Sequence, residues 1–338
     1  MNDFVHLHLH THFSFLDATN RIPELMQAVK RHGQSAVAVT EHGNLSSAAQ
    51  FYREAREHDL KPIIGCEVYV TPGDHRDRNA AQKKSNHLVL LAENETGFRN
   101  LIKLVSTAHL DGYYYRPRCD HELLEKYAEG LICTSACLSG ELAVAIAENR
   151  IADAERLADW HRQIFKDRYY LEIQHNGLER QERVNIEILK IAKRLDLPVV
   201  ATNDCHYLRP EDANPHDVLL CVGTGKTVSE QNRKRYESEA FYLRSSREMA
   251  DLFHDTPGAV KSTLEIAERC QFEWSTGGFL FPEYDVPAGE TIESVFTKMS
   301  REGFERRFAK IAAKIPTDTE KKPACAPSTK RALIPSWN

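Results

Sequence analysis

Val5-His-Leu-His-Leu-His-Thr-His-Phe-Ser-Phe-Leu-Asp17 is the stretch on which the reading of this chain turns. Histidine takes every second position, at His6, His8, His10 and His12, with Leu7 and Leu9 between them. In an extended strand alternate side chains share a face, so the spacing predicts His6, His8 and His10 projecting together while the leucines enter a core. A strand that gives one face to imidazoles forgoes hydrophobic burial. Neutral imidazole is the commonest protein ligand for metals, and two on one face can grip a single ion. A purification-tag remnant explains the stretch less well, since a tag would not alternate with leucine and run on into Phe13-Ser-Phe-Leu-Asp17.

The composition is that of an ordinary water-soluble globular protein: 338 residues, 41% hydrophobic and 28% charged. No apolar run approaches the roughly 20 residues needed to span a bilayer, and the N-terminus has no signal-peptide core. The 8 cysteines form no CxxC pair. Most sit alone in apolar runs, which argues for a reducing compartment and a cytoplasmic location and against a disulfide framework or zinc knuckle. With a net charge of -5, a nucleic-acid partner would have to be met by a local patch or by metals.

Short apolar runs alternate with helical spacing along the chain. Strand-like segments are expected at Ser35–Thr40, Pro62–Val70, His87–Ala92, Gly130–Cys137, Tyr169–Gln174 and Pro198–Asp204. Helices are expected at Pro23–His32, Ala48–His58, Gly97–His109, up to Leu195, and Glu248–Cys270. About seven such units suggest a mainly parallel sheet closed into a barrel, and no glycine-rich phosphate loop follows any strand. Gly223-Thr-Gly-Lys-Thr227 lacks the earlier glycine that a P-loop requires.

In β/α barrels chemistry gathers at the C-terminal strand ends. Those ends carry His8, His10 and, past a turn, Asp17, then His42, Glu67, Cys137, Asp204 and His206; His87 is the exception, because it opens its strand. Each residue alone has a structural explanation. Together they exceed what one ion can take, which suggests two or three adjacent ions. Mixed imidazole and carboxylate donors suit zinc, manganese or iron. Such clusters activate water for in-line displacement at phosphorus, so phosphoester hydrolysis is the reaction class they suggest.

The segments His8-Leu-His10-Thr, Thr40-Glu-His42-Gly, Gly65-Cys-Glu67, His87, Ser135-Ala-Cys137 and Asn203-Asp-Cys-His206 resemble the PHP (polymerase and histidinol phosphatase) superfamily. Phe13-Ser-Phe-Leu-Asp17, Thr96-Gly-Phe-Arg-Asn-Leu, Gly112-Tyr-Tyr-Tyr-Arg-Pro-Arg, Ala201-Thr-Asn-Asp-Cys-His-Tyr and Glu239-Ala-Phe-Tyr-Leu narrow the likeness to the N-terminal region of the α-subunit family of bacterial DNA polymerase III. The resemblance runs to about residue 311 and implies a distorted (βα)7 TIM-like barrel, the PHP fold, with a trinuclear metal site. Carried over position by position, the implied ligands are His8, His10, Asp17, His42, Glu67, His87, Cys137, Asp204 and His206, with Asp17, Asp204 and His206 as the catalytic residues. Glu41, where Asp usually stands, and Cys205, where Gly is common, depart from the pattern at non-ligand positions.

The implied division is a PHP domain over 1–275, the opening of a polymerase core over 276–314, and an irregular tail over 315–338, with the polymerase palm expected beyond this chain. The 276–314 segment is basic, with Lys298, Arg301, Arg306, Arg307, Lys310 and Lys314. The implied activity of this portion is that of a metal-dependent phosphoesterase, a 3′–5′ exonuclease proofreading for the polymerase. Its substrate would be the 3′ end of single-stranded DNA and its partners the other polymerase III holoenzyme subunits. Arg116 and Arg118 beside three tyrosines, and His175, are candidate substrate contacts. A stand-alone phosphatase of the histidinol-phosphatase type and a non-catalytic docking domain are the alternatives.

Overall fold

Strands in this chain, the short pair over residues 113–119 aside, are mostly built from runs buried on both faces, as a sheet covered by helices requires. In the computed structural model they are β1 (Ala36–His42), β2 (Lys61–Val70), β3 (Asn86–Ala92), β4 (Tyr113–Tyr114), β5 (Arg116–Cys119), β6 (Leu131–Thr134), β7 (Tyr169–Gln174) and β8 (Val199–Thr202). The structure describes residues 4–79, 84–274 and 282–312. Two compact units divide the chain, Met1–Ser275 and Thr276–Asn338.

In the first unit β1 pairs parallel with β2, β6 with β7, and β7 with β8. Residues 4–10 close the ring between β1 and β8. Ala38 N donates to His6 O at 2.8 Å, Thr40 N to Leu9 O at 2.9 Å, and His10 N to Cys205 O at 2.9 Å. Leu7 and Leu9, fully buried as the alternation predicts, pack in the interior. Helices Ile22–Arg31, Ala48–Glu57, Glu95–Leu110, Ile151–Phe165 and Glu179–Leu195 bury one apolar side each. Asn94 caps the third of these by accepting from Gly97 N at 3.0 Å.

The sheet departs from the expected parallel arrangement at β3, which runs antiparallel to both β2 and β6. Parallel neighbours need a crossover, usually a helix. Residues 71–79 and 84–85 carry none, so the chain returns directly alongside β2. This reversal places the first residues of β3 at the rim where the other strands end. His87 stands opposite Tyr69, two residues past Glu67. The barrel is therefore distorted rather than regular. β4 and β5 form a small hairpin joined to the end of β2 through Tyr69–Arg118 and Val70–Cys119.

The helix expected over Glu248–Cys270 is two helices, Ser246–Leu252 and Pro257–Arg269. Pro257 disfavours the α conformation in the residue before it, and Thr256 lies at φ -133 and ψ 55. The glycine-lysine motif near residue 225 is a helix end: Gly225 adopts φ 65 after Ala213–Thr224, whose last carbonyls Gly225 N and Lys226 N cap. In the second unit Ile292–Ala312 is helical and largely exposed, with Val295 buried. Lys314 and the expected tail over 315–338 lie outside the described residues. Among the described residues no helix is long and apolar enough to cross a membrane.

Gly43 ends β1 with φ 63, and a Cβ there would lie 2.8 Å from Pro117 and 3.0 Å from Tyr69. The left-handed turn and the close approach both call for glycine. Gly43→Ala is expected to destabilise the first unit by about 1–3 kcal/mol, read as a lowered urea midpoint with unchanged slope.

Candidate metal centre

Each strand end delivers one or two polar side chains to a common point, and the loops deliver the rest. His8 and His10 come from the closing segment, His42 and Glu67 from the ends of β1 and β2, and His87 from the reversed start of β3. Cys137 follows β6, and Asp204 and His206 follow β8. Asp17 arrives from the loop after His10. Non-glycine residues with left-handed backbone stand at or beside three of these positions: Leu16 at φ 60, Ala136 at φ 60 and Asp204 at φ 50. Such conformations cost on the order of 1–2 kcal/mol each and persist where surrounding structure imposes them.

Glu67 is the hub. It is fully buried, and its Oε1 lies 3.1 Å from His8 Nε2 and 2.8 Å from His87 Nδ1, while its Oε2 lies 2.7 Å from His42 Nδ1 and 3.6 Å from His10 Nε2. Cys137 Sγ is 3.8 Å from Glu67 Oε1 and 3.7 Å from His87 Nδ1. Asp204 Oδ1 is 3.2 Å from Nε2 of both His8 and His10. Asp17 Oδ2 lies 3.0 Å from His42 Nε2. The His206 ring lies tilted against His10, with centroids 4.5 Å apart. All nine residues named from the sequence therefore converge on one cluster.

The hydrogen bonds behind the cluster fix which nitrogens face inward. His8 Nδ1 donates to Glu172 Oε1 at 2.8 Å, and His10 Nδ1 donates to Ser14 Oγ at 3.2 Å. Ser14 in turn donates to Glu41 Oε2 at 2.5 Å, and Thr11 Oγ1 donates to the same carboxylate. His206 Nδ1 donates to Asp204 O at 2.8 Å. In His10 and His206, which burial holds neutral, Nε2 is left with its lone pair. At His8 burial opposes charge, but Asp204, Glu172 and Glu67 outweigh it and raise its pKa well above the usual range, so an ion must displace its Nε2 proton. Such outer partners hold histidines in metal sites in the ligating tautomer.

His8 Nε2, His10 Nε2, both ring nitrogens of His42, Glu67 Oε2 and Asp204 Oδ1 are buried with no well-directed hydrogen bond, and face only one another and the other donors of the cluster, as in the His42–Glu67 and His42–Asp17 contacts. A buried polar atom left unsatisfied costs about 1–3 kcal/mol, and a buried charge more. Six such atoms in one place call for a common occupant. Charge points the same way. Asp17, Glu67 and Asp204 face inward, with Glu41 and Glu172 behind them. Among the described residues the only lysine or arginine paired with any of the five is Lys234, 2.7 Å from Asp17 Oδ1. His10, His42 and His206, then His8, His10 and Asp204, then His42, Glu67 and His87 each gather donor atoms within 4.8 Å, the spacing of ligands around an ion. The donor set fits divalent metal binding.

Burial opposes charge on His42, but Glu67 and Asp17 outweigh it and raise its pKa to about 9. Burial holds His10 well below the usual range and lowers His206 to about 3, leaving both neutral and ready to donate lone pairs. For Glu67, burial favours the neutral acid, yet the charges of His87, His8 and His42 prevail and keep the carboxyl well below its usual value.

Several sequence expectations are corrected here. His6 does not join His8 and His10. The closing segment twists, and His6 donates from Nε2 to Arg244 O at 2.8 Å with its other nitrogen 3.3 Å from Cys205 Sγ. Arg118 does not face the solvent-filled pocket. It is fully buried and donates to the carbonyls of Gly112, His75 and Asp77. His175 is drawn away to Glu182 Oε1 at 2.8 Å and packs on Phe253. Arg116 alone of the three lines the pocket over the cluster, above the Tyr69 ring at 4.7 Å.

That pocket, about 390 Å³, is also lined by Arg180, Lys234, Arg235 and Tyr236, none of them expected from the sequence. Tyr236 OH donates to His206 Nε2 at 2.9 Å. Residues 225–240 have neither helical nor strand periodicity, so no pattern marks Lys234, Arg235 and Tyr236; Arg180 stands in the first turn of the helix Glu179–Leu195. Glu172 did carry a signal: like Glu67, it interrupts an apolar strand, Tyr169-Tyr-Leu-Glu-Ile-Gln174.

The sequence matches the PHP domain family over residues 6–176, and the chain belongs to that family. Relatives named DNA polymerase III subunit alpha align with almost the whole chain. The one from Borreliella burgdorferi is 40% identical over 316 residues, 92% of this chain and 28% of its own length. The Treponema pallidum relative is 40% identical over 92% of this chain and 27% of its own. The Aquifex aeolicus relative is 38% identical over 92% of this chain and 28% of its own. The chain thus spans about a quarter of the length of the curated relatives it matches.

Two outcomes follow for metal binding. Because His42 keeps a proton below about pH 9, an incoming ion must displace it. Titration calorimetry in two buffers of different ionisation enthalpy should show net proton release at pH 7, and affinity should rise with pH up to about 9. Glu172→Gln removes the carboxylate behind His8 while keeping its shape; metal affinity in a chelator competition is expected to fall about 10–100-fold with the far-ultraviolet circular dichroism unchanged.

Proposed function

We propose that this chain is a metal-dependent phosphoesterase that removes nucleotides from the 3′ end of single-stranded DNA, as the proofreading portion of a DNA polymerase III α subunit. The observation that carries this reading is the set of six buried donor atoms, none with a well-directed hydrogen bond, turned toward one another beneath an open, cation-rimmed pocket. His8, His10, Asp17, His42, Glu67, His87, Cys137, Asp204 and His206 would hold about two or three divalent ions, of zinc, manganese or iron. Ions held there would supply Lewis acidity at phosphorus and a nucleophilic water near neutral pH.

The chain's own groups account for the remaining work. Arg116, Arg180, Lys234 and Arg235 rim the pocket and suit the non-bridging oxygens of a phosphodiester. Tyr115, well exposed on the hairpin beside Arg116, offers a face for a terminal base to stack on. Tyr236 holds its hydroxyl proton toward His206 Nε2, and Lys234 neutralises Asp17. Both must shift when those side chains take up ligand roles. Segment 276–314 is, on this reading, the opening of the polymerase core, and the protein works in the cytoplasm with the other holoenzyme subunits.

The test is digestion of a 3′-labelled single-stranded oligonucleotide, run beside release of phosphate from p-nitrophenyl phosphate. The expected result is stepwise shortening from the 3′ end, with the small ester turned over far more slowly. Asp17→Asn and His206→Ala should each reduce digestion on the order of 10²-fold or more with the thermal midpoint little changed. Preference for the small ester would favour a stand-alone phosphatase. Absence of both activities in the metal-loaded chain would leave a docking role.

A further inference from the structure

A second cluster shares no residue with the first. His121 opens the short helix His121–Tyr127, Glu141 opens Glu141–Ala147, and His161 lies in the last turns of Ile151–Phe165. His121 Nε2 approaches Glu141 at 3.2 Å from Oε1 and 3.0 Å from Oε2, and His161 Nε2 lies 3.9 Å from Glu141 Oε2. One donor atom from each residue falls within 4.8 Å of the other two.

Three features set this apart from an ordinary ion pair. His161 is 2% exposed, and its Nε2 is buried with no hydrogen-bond partner. Its Nδ1 donates to Leu157 O at 2.9 Å, which makes Nε2 the nitrogen with the free lone pair, aimed toward Glu141. Both imidazoles are held in place by rings: Trp160 stacks on His121 at 4.2 Å and 18°, and Tyr169 on His161 at 5.1 Å and 16°. His121, about a third exposed, leaves one side open to water.

From this geometry we infer that His121, Glu141 and His161 form a separate site for one divalent transition ion of the zinc class. Two imidazoles and a carboxylate with a fourth position for water match the four-coordinate preference of zinc. The ion would tie together the three helices whose polar link at this point is the Glu141 carboxylate. It takes no part in the chemistry of the central cluster.

The test uses the whole chain. Crystals grown with zinc and measured at the zinc absorption edge should show an anomalous peak bounded by His121, Glu141 and His161, in addition to density at the central cluster. In solution, Co(II) should quench the emission of Trp160, identified by its loss in Trp160→Phe, in a saturable titration. His161→Phe, which keeps a ring among Phe165 and Tyr169, should abolish that quenching. No anomalous peak at this position while the central cluster is occupied would overturn the site, and so would quenching of equal depth in His161→Phe. Should that variant not fold, the anomalous map of the unaltered chain decides. Neither outcome depends on phosphoesterase activity.

Discussion

Glu67 is a carboxylate fully removed from water with four imidazoles, a thiol and, among the described residues, no arginine or lysine against it. Transferring such a group into a protein interior costs several kcal/mol even after relaxation. The charges of His87, His8 and His42 keep the carboxylate ionised, at the expense of protons that a bound ion would replace, while His10 and His206 are held neutral by burial. The barrel around it accommodates the cluster: β3 is reversed, left-handed residues stand at or beside three site positions, and the buried carboxylates Glu41 and Glu172 back the donors. Structure of this kind is maintained for a cation.

The same constraint explains the layering of the site. His8, His10 and His206 each spend one nitrogen on an oxygen behind them, so each has one nitrogen left to face inward. Glu172 collects His8, Thr134, Thr202 and Gln174 and is saturated by them. Glu41 has the reach to collect Thr11 and Ser14. Above the cluster the chain changes character. Lys234 and Tyr236 sit on Asp17 and His206, so those two donors are engaged by weaker, displaceable partners.

Much of this was legible in the sequence because donor residues interrupt apolar strands, and the interruption shows wherever a core would otherwise be continuous. His8, His10, Glu67 and Asp204 stand out for that reason. His87 seemed misplaced at the start of its strand until the antiparallel course of β3 put that start at the functional rim; periodicity gives a strand's existence but not its direction. His6 and Arg118 mislead in the opposite sense. Two-residue alternation assigns His6 to the face of His8 and His10, whereas the twist of the short bridged segment turns it to Arg244; the tyrosines beside Arg118 suggest a charged, stacking surface, whereas its guanidinium is buried in a cage of carbonyls. Lys234 and Tyr236 lie in irregular chain, where position is set by tertiary packing and no local pattern records it.

The central claim is that divalent ions complete the cluster around Glu67, and metal content addresses it most directly. The chain, purified without chelators, dialysed against trace zinc and manganese and assayed by mass spectrometry of the metals, should retain about two or three ions at the nine-residue cluster, and Glu67→Gln should lose most of them. Equal metal content in the two proteins, or a cluster that binds nothing from micromolar solutions of either ion, would contradict the account.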